Sequence, residues 1–247
     1  VDSYGWRQAY FTLGGIAISL VLIVLMMPWG TLGRAQARTA EANTRQGEKP
    51  WTVRNAARTV PFWGLFSAFY FTSAAIFILA PQFVAYLVSV GFDPLEAAGA
   101  FGTSGLLSIS GMVGVAWASE RFGRTIVVTL SYAASAIGMC LMSALQWWPS
   151  WWLLGLALAF LGITSGCRAP IITELVARLF PGEGYASVLG GIHSGMGLGA
   201  GMGALLGAWI IDSSGTYHGL FYAAVGALAI ASGMFIVLKP LRTGRWD

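Results

Sequence analysis

Apolar residues in this chain run in long blocks broken by short polar stretches, without the polar alternation of a surface helix or an exposed strand. Blocks of this kind match the roughly 30 Å hydrocarbon layer of a bilayer, which a helix crosses in about 20 residues. The breaks predict seven spanning helices, over 8–29, 61–89, 95–118, 126–147, 152–178, 186–211 and 217–238. The predicted fold class is all-α, a polytopic helical membrane protein, because a helix satisfies its own backbone where no water is present. Four regions follow: a first helix within 1–29, a polar linker 30–60, a six-helix bundle 61–238 and a tail 239–247.

Composition agrees with that pattern. Of 247 residues, 56% are hydrophobic and 10% charged, against about 25% charged in soluble proteins. An ordinary globular domain is thereby excluded. Cys140 and Cys167 lie alone in apolar segments, without the spacing of a metal site or a disulfide framework. No metal or cofactor is expected, and no paired carboxylates, His cluster or nucleophile constellation marks an enzyme.

Charge sets the expected orientation, since cytoplasmic loops retain Lys and Arg. Twelve of the 14 basic residues fall on one side: Arg34, Arg38, Arg45, Lys49, Arg54, Arg58, Arg121, Arg124, Arg178, Lys239, Arg242 and Arg245. The opposite connections, around 91–96, 146–151 and 212–218, hold none. The beginning of the chain is therefore expected outside and its tail in the cytoplasm, with Trp147, Trp148, Trp151 and Trp152 as an outer aromatic belt. Position explains the net charge of +4 without a nucleic-acid partner. The first residue is Val1, and Gly5-Trp6-Arg7 leads at once into a helix. This start reads as a cut, with helices of the same protein preceding it.

Arg168 is the sharpest candidate for function. It lies near the middle of the span 152–178, where a guanidinium costs about 2.5–3.5 kcal/mol and must face a partner or a water-filled cavity. Pro170 cannot donate to the carbonyl of Gly166, which predicts a bend that frees this carbonyl beside the guanidinium. Glu174, six residues on, points to another helix face and suits Arg178, at i+4. Two readings stay open for Arg168: a permanent bond to a neighbouring acid or to carbonyls, or an anionic substrate gripped through two parallel hydrogen bonds. Tyr70, Ser73, Gln82, Thr164 and His193 are further candidates to line an aqueous path, although such residues often satisfy themselves within helix bundles.

Glycine recurs every fourth residue at Gly191, Gly195, Gly199, Gly203 and Gly207, with a second row at Gly197 and Gly201. Such a face predicts close backbone contact with a neighbouring helix. Gly99, Gly102, Gly105, Gly111 and Gly114 repeat the theme less regularly.

The connection Ala116-Trp117-Ala118-Ser119-Glu120-Arg121-Phe122-Gly123-Arg124 resembles the Gly-x-x-x-Asp-Arg-x-Gly-Arg loop of the major facilitator superfamily. Ala116 replaces the first Gly and Glu120 the Asp. Gly5-Trp6-Arg7 is similar to the opening of that family's sixth helix, and 30–60 to the loop joining its halves. The segment ending at Asp212, Gly215 and Tyr217 resembles the eleventh helix and its outer turn. The resemblance implies the second half of a major facilitator fold plus the preceding helix, that is, helices six to twelve. It also implies a cytoplasmic gating latch at Glu120, Arg121, Gly123 and Arg124, and Arg168 on a cavity-lining tenth helix. The nearest branch is that of monocarboxylate porters and oxalate/formate exchangers. Those proteins carry an anion-binding Arg on the eighth helix, where 95–118 has neither Arg nor Lys.

The implied function is secondary active transport of a small solute, an organic anion such as a mono- or dicarboxylate, by alternating access and with a coupling ion. The implied setting is the lipid of a bacterial inner membrane. The alternatives are a seven-helix receptor and a non-transporting membrane scaffold. A retinal protein would need a Lys deep in 217–238, where there is none.

Overall fold

A computed structural model describes residues 51–242 and 243, apart from 183, together with positions 11, 12, 14, 15, 18, 19 and 21. The chain divides into two compact units, Val1–Lys49 and Pro50–Asp247. In the first unit the described positions are helical. The predicted span 8–29 as a whole, Arg7, the linker up to Lys49, and Arg245 lie outside the described residues.

The second unit holds six helical spans among the described residues and no strand. The first span, Val60–Ser89, consists of α1 (Val60–Leu79), a 3-10 turn (Ala80–Gln82) and α2 (Phe83–Ser89). Then come α3 (Pro94–Phe122), α4 (Arg124–Ala144), α5 (Trp151–Leu179), α6 (Tyr185–Ser214) and α7 (His218–Val237). The predicted spans agree within a few residues, except that 61–89 is not one uninterrupted α-helix. Pro81, which has no N–H to give the ladder, sits in the turn that interrupts it.

Local sequence explains the helix ends. Asp93 caps α3 by accepting from the amide of Leu95 at 2.9 Å, and Pro94 occupies the first turn, where its missing N–H costs nothing. Gly123 alone separates α3 from α4, with φ at +84°, a conformation that favours a residue without Cβ. Gly215 closes α6 in the left-handed conformation.

The most extensive helix pairing is α1 with α6, and the glycine row makes it. Cβ atoms placed on Gly195, Gly199, Gly203 and Gly207 would strike the carbonyl oxygens of Phe66, Tyr70, Ala74 and Ile78. Gly191 extends the series one turn, with its Cβ position 3.4 Å from the Phe62 ring. Both partners advance by four residues in the same direction, so the two helices run parallel at backbone contact. In lipid such fit supplies the packing that burial alone does not. The second row differs from expectation: Gly197 and Gly201 have nothing within 4 Å, and neither do Gly99, Gly102, Gly105 and Gly114. Within α3 only Gly111 is tightly packed, on the carbonyl of Ile163 in α5. Gly166 returns the contact against the carbonyl of Ser108. Periodicity shows which residues share a face, but not whether a helix lies against it.

Candidate site around a buried arginine

Arg168 is 3% exposed. Helix α5 holds it against α4, whose Ser131, Tyr132 and Ser135 present one polar face within an apolar helix. The guanidinium donates from Nε to Ser131 Oγ at 3.2 Å and from Nη2 to the Ser131 carbonyl at 2.8 Å. Nη2 also donates to Ser135 Oγ. The face of Tyr132 lies beneath it, with the guanidinium carbon 4.4 Å from the ring centre.

The surrounding hydroxyls are arranged to accept. Ser131 Oγ donates away, to the Val128 carbonyl at 2.7 Å, which leaves its lone pairs for Nε. Ser135 Oγ lies 2.5 Å from Thr164 Oγ1, which in turn donates to the Phe160 carbonyl at 2.6 Å. A directed chain therefore runs from the guanidinium through Ser135 and Thr164 to backbone. On the other side Tyr132 Oη meets Thr72 Oγ1 of α1 at 2.8 Å.

No Asp or Glu pairs with Arg168 among the described residues. Its charge is solvated by dipoles and a ring face, and it is not neutralised. α5 continues through Pro170, and the expected freed carbonyl of Gly166 is not the guanidinium's partner either, because the side chain turns toward α4. Nε and Nη2 are occupied, and Nη1 is the nitrogen without a hydrogen bond among the described residues.

Arg168 lines one end of a cleft of about 90 Å³, together with Ser135, Met139, Leu158, Phe101 and Phe83 among others. Of the other candidates only Thr164 joins this network. Ser73 is buried and its Oγ lacks a partner among the described residues, but it does not line the cleft. Tyr70 serves packing: its carbonyl faces Gly199, and its ring meets the edge of Phe71 at 5.1 Å. Gln82 sits half-buried in the 3-10 turn. His193 bonds within its own helix, Nδ1 lying 3.1 Å from the Leu189 carbonyl, and its ring lies 4.8 Å from that of Phe69, tilted by 36°. Thr72, Ser131, Tyr132 and Ser135 were not singled out from sequence. The signal available for three of them was the polar spacing 131, 132, 135 in an otherwise apolar run.

The α3–α4 connection forms a second polar cluster. Glu174 takes Arg178 Nη2 at 2.8 Å and stands 3.7 Å from Arg124 Nε, so it is shared between the loop and the far end of α5. Arg121 is exposed, 5.8 Å from the Trp117 ring, and Glu120 is exposed beside it. Ser119, Glu120, Arg124, Glu174 and Arg178 line a surface cleft of about 300 Å³.

Comparison with known proteins adds to this geometry. The family model described as Major Facilitator Superfamily matches residues 109–245. Monocarboxylate transporter 13 of Rattus norvegicus is 26% identical over 245 residues, 96% of this chain and 54% of that protein. The cis,cis-muconate transport protein of Acinetobacter baylyi is 29% identical over 143 residues, 58% of this chain and 33% of that protein. A probable triacylglyceride transporter of Mycobacterium leprae is 31% identical over 120 residues, 49% of this chain and 24% of that protein. The chain spans about half the length of the first of these relatives.

Proposed function

Because this chain belongs to the major facilitator superfamily, we propose that the complete protein carries a small organic anion across the membrane by alternating access, with Arg168 as the counter-charge. One observation carries this reading: a buried guanidinium that dipoles solvate and that no carboxylate among the described residues neutralises. A cation so held keeps its attraction for an anion, and in a medium of low dielectric that attraction is strong. The names of two relatives, a monocarboxylate transporter and a muconate transport protein, point the same way.

An incoming carboxylate meets Nη1 first, since Nε and Nη2 are engaged. A two-pronged grip requires Ser135 to release Nη2, so binding rearranges the hydroxyl chain. The Glu174 cluster would act as the latch, holding the α3–α4 loop to the end of α5 in one access state. A second bundle, from preceding helices of the same protein, would complete the cavity. The relative's greater length supports this. The basic side would be cytoplasmic, because Arg124 and Arg178 line one cleft at an end of the bundle and Arg121 lies in the last turn of α3 beside it.

The test is protein-dependent uptake of radiolabelled mono- and dicarboxylates by the complete protein in proteoliposomes. Arg168→Gln is expected to cut uptake at least tenfold, on the scale of a lost charged hydrogen bond. Undiminished uptake by a correctly inserted Arg168→Gln variant overturns the reading. A structural role has its own support, because all three hydrogen bonds of Arg168 run to α4. That role predicts a less stable variant with unchanged affinity per folded molecule.

A further inference from the structure

The cleft at Arg168 has an axial polarity. Short connections make successive spans antiparallel, so Arg168 to Leu158 along α5 and Ser135 to Met139 along α4 lead toward the same face. Phe101, near the start of α3, and Phe83, just past the 3-10 turn, lie toward that face too. Arg168 and Ser135 thus form one end and Leu158 the other, about 15 Å away at 1.5 Å per residue along α5, with Met139 about 6 Å beyond Ser135 along α4 and Phe83 and Phe101 toward the Leu158 end. Phe83 and Phe101 close the apolar end, with ring centres 5.4 Å apart.

Two serines lie along the cleft between these ends, yet both turn their hydroxyl hydrogens into their own helices. Ser104 donates to the Phe101 carbonyl at 2.7 Å and Ser165 to the Leu161 carbonyl at 2.6 Å. Among the described residues, no Lys or Arg other than Arg168 lines the cleft. Against this lining, a second carboxylate at the phenylalanine end would lose its water without gaining a cation, which is strongly unfavourable.

From this arrangement we propose that the site takes an amphipathic monoanion: its carboxylate at Arg168, its hydrocarbon tail directed toward Phe83 and Phe101, with Phe101 limiting the tail's length. The proposal rests on the anion reading above and adds to it a choice between monoanion and dianion, and an orientation. Phe83 is 5% exposed and fixed in the core, whereas Phe101 is 45% exposed and free to be resized. Each methylene buried in the cleft tightens binding about fourfold until the tail reaches Phe101.

The experiment is equilibrium binding of radiolabelled straight-chain monocarboxylates and dicarboxylates, of matched carbon number, to the purified complete protein. Binding is read instead of uptake because short acids in their protonated form cross lipid unaided. Affinity is expected to rise about fourfold per methylene in the monocarboxylate series and then stop, with each dicarboxylate at least tenfold weaker. Phe101→Ala moves the stopping point to longer chains, and Phe101→Trp moves it to shorter ones. Dicarboxylates that bind as tightly, or affinities independent of chain length, overturn the proposal. If such acids still depend on Arg168, shown by a loss in Arg168→Gln, the anion reading survives that failure. If the chain-length ladder persists undiminished in Arg168→Gln, the apolar end stands and the anion reading falls. No binding of any of these acids overturns both.

Discussion

The guanidinium of Arg168 and the ring of Tyr132 lie 4.4 Å apart, on neighbouring helices and both almost wholly buried. Tyr132 is also bonded through its hydroxyl to Thr72, so one side chain joins α1, α4 and α5 at the charge. A ring face attracts a desolvated cation with about 2 kcal/mol or more, while the hydroxyl bond contributes about 1 kcal/mol.

The two contributions separate by substitution. Tyr132→Phe keeps the ring and loses the Thr72 bond, and is expected to cost about 1 kcal/mol and to retain binding. Tyr132→Leu removes the ring and is expected to cost at least about 2 kcal/mol more and to weaken anion binding. Unfolding in detergent, read together with ligand affinity, compares them; equal behaviour of the two variants would show that the ring face does not hold the guanidinium.

Glycine substitutions in α6 divide by face. Gly199→Ala forces a methyl into the Tyr70 carbonyl and is expected to destabilise by about 1–3 kcal/mol. Gly201→Ala, two residues away with nothing within 4 Å, is expected to leave the melting temperature unchanged or slightly raised. A matched pair of thermal melts decides the matter, and a Gly199→Ala melt like that of the unaltered protein would contradict the backbone contact with α1.

Glu174→Gln breaks two ion pairs whose side chains are between 22% and 55% exposed. Exposed pairs contribute about 0–1 kcal/mol, so stability should hardly move. The latch reading nonetheless expects a change in how often each side opens, visible as altered alkylation of a cysteine placed in the cleft at Ser165. Equal alkylation rates with and without the Glu174→Gln change would leave that cluster no gating role.

Orientation is checked with single cysteines in the complete protein. Asp212→Cys is expected to react with an impermeant maleimide from outside intact cells, and Arg121→Cys only after permeabilisation. The reverse order would invert the topology that the distribution of basic residues predicts.

Much of the fold is legible in the sequence. Hydropathy marks all six described spans, because crossing a bilayer is a demand on each segment separately. Arg168 stands out for the same reason: a charge at that depth is costly whatever surrounds it. The Glu174–Arg178 pair is likewise local, set by a spacing of four residues, and the structure shows it at 2.8 Å.

The guanidinium's partners are another matter. Ser131, Tyr132 and Ser135 become visible as a site only when α4 is laid against α5, and Thr72 only when α1 reaches Tyr132. The same distinction separates Gly199, pressed on Tyr70, from Gly201, which touches nothing. By itself, then, the sequence determined which described segments span, to within a few residues at their ends, and which residue is too polar for its depth, since these follow from solvent and near neighbours along the chain. Tertiary structure alone decided what that arginine touches, which glycine row is used and where the cleft turns apolar. Those depend on how separate helices rotate and approach one another, and residues 37 positions apart in the chain, as Ser131 and Arg168 are, carry no mark of meeting until they do.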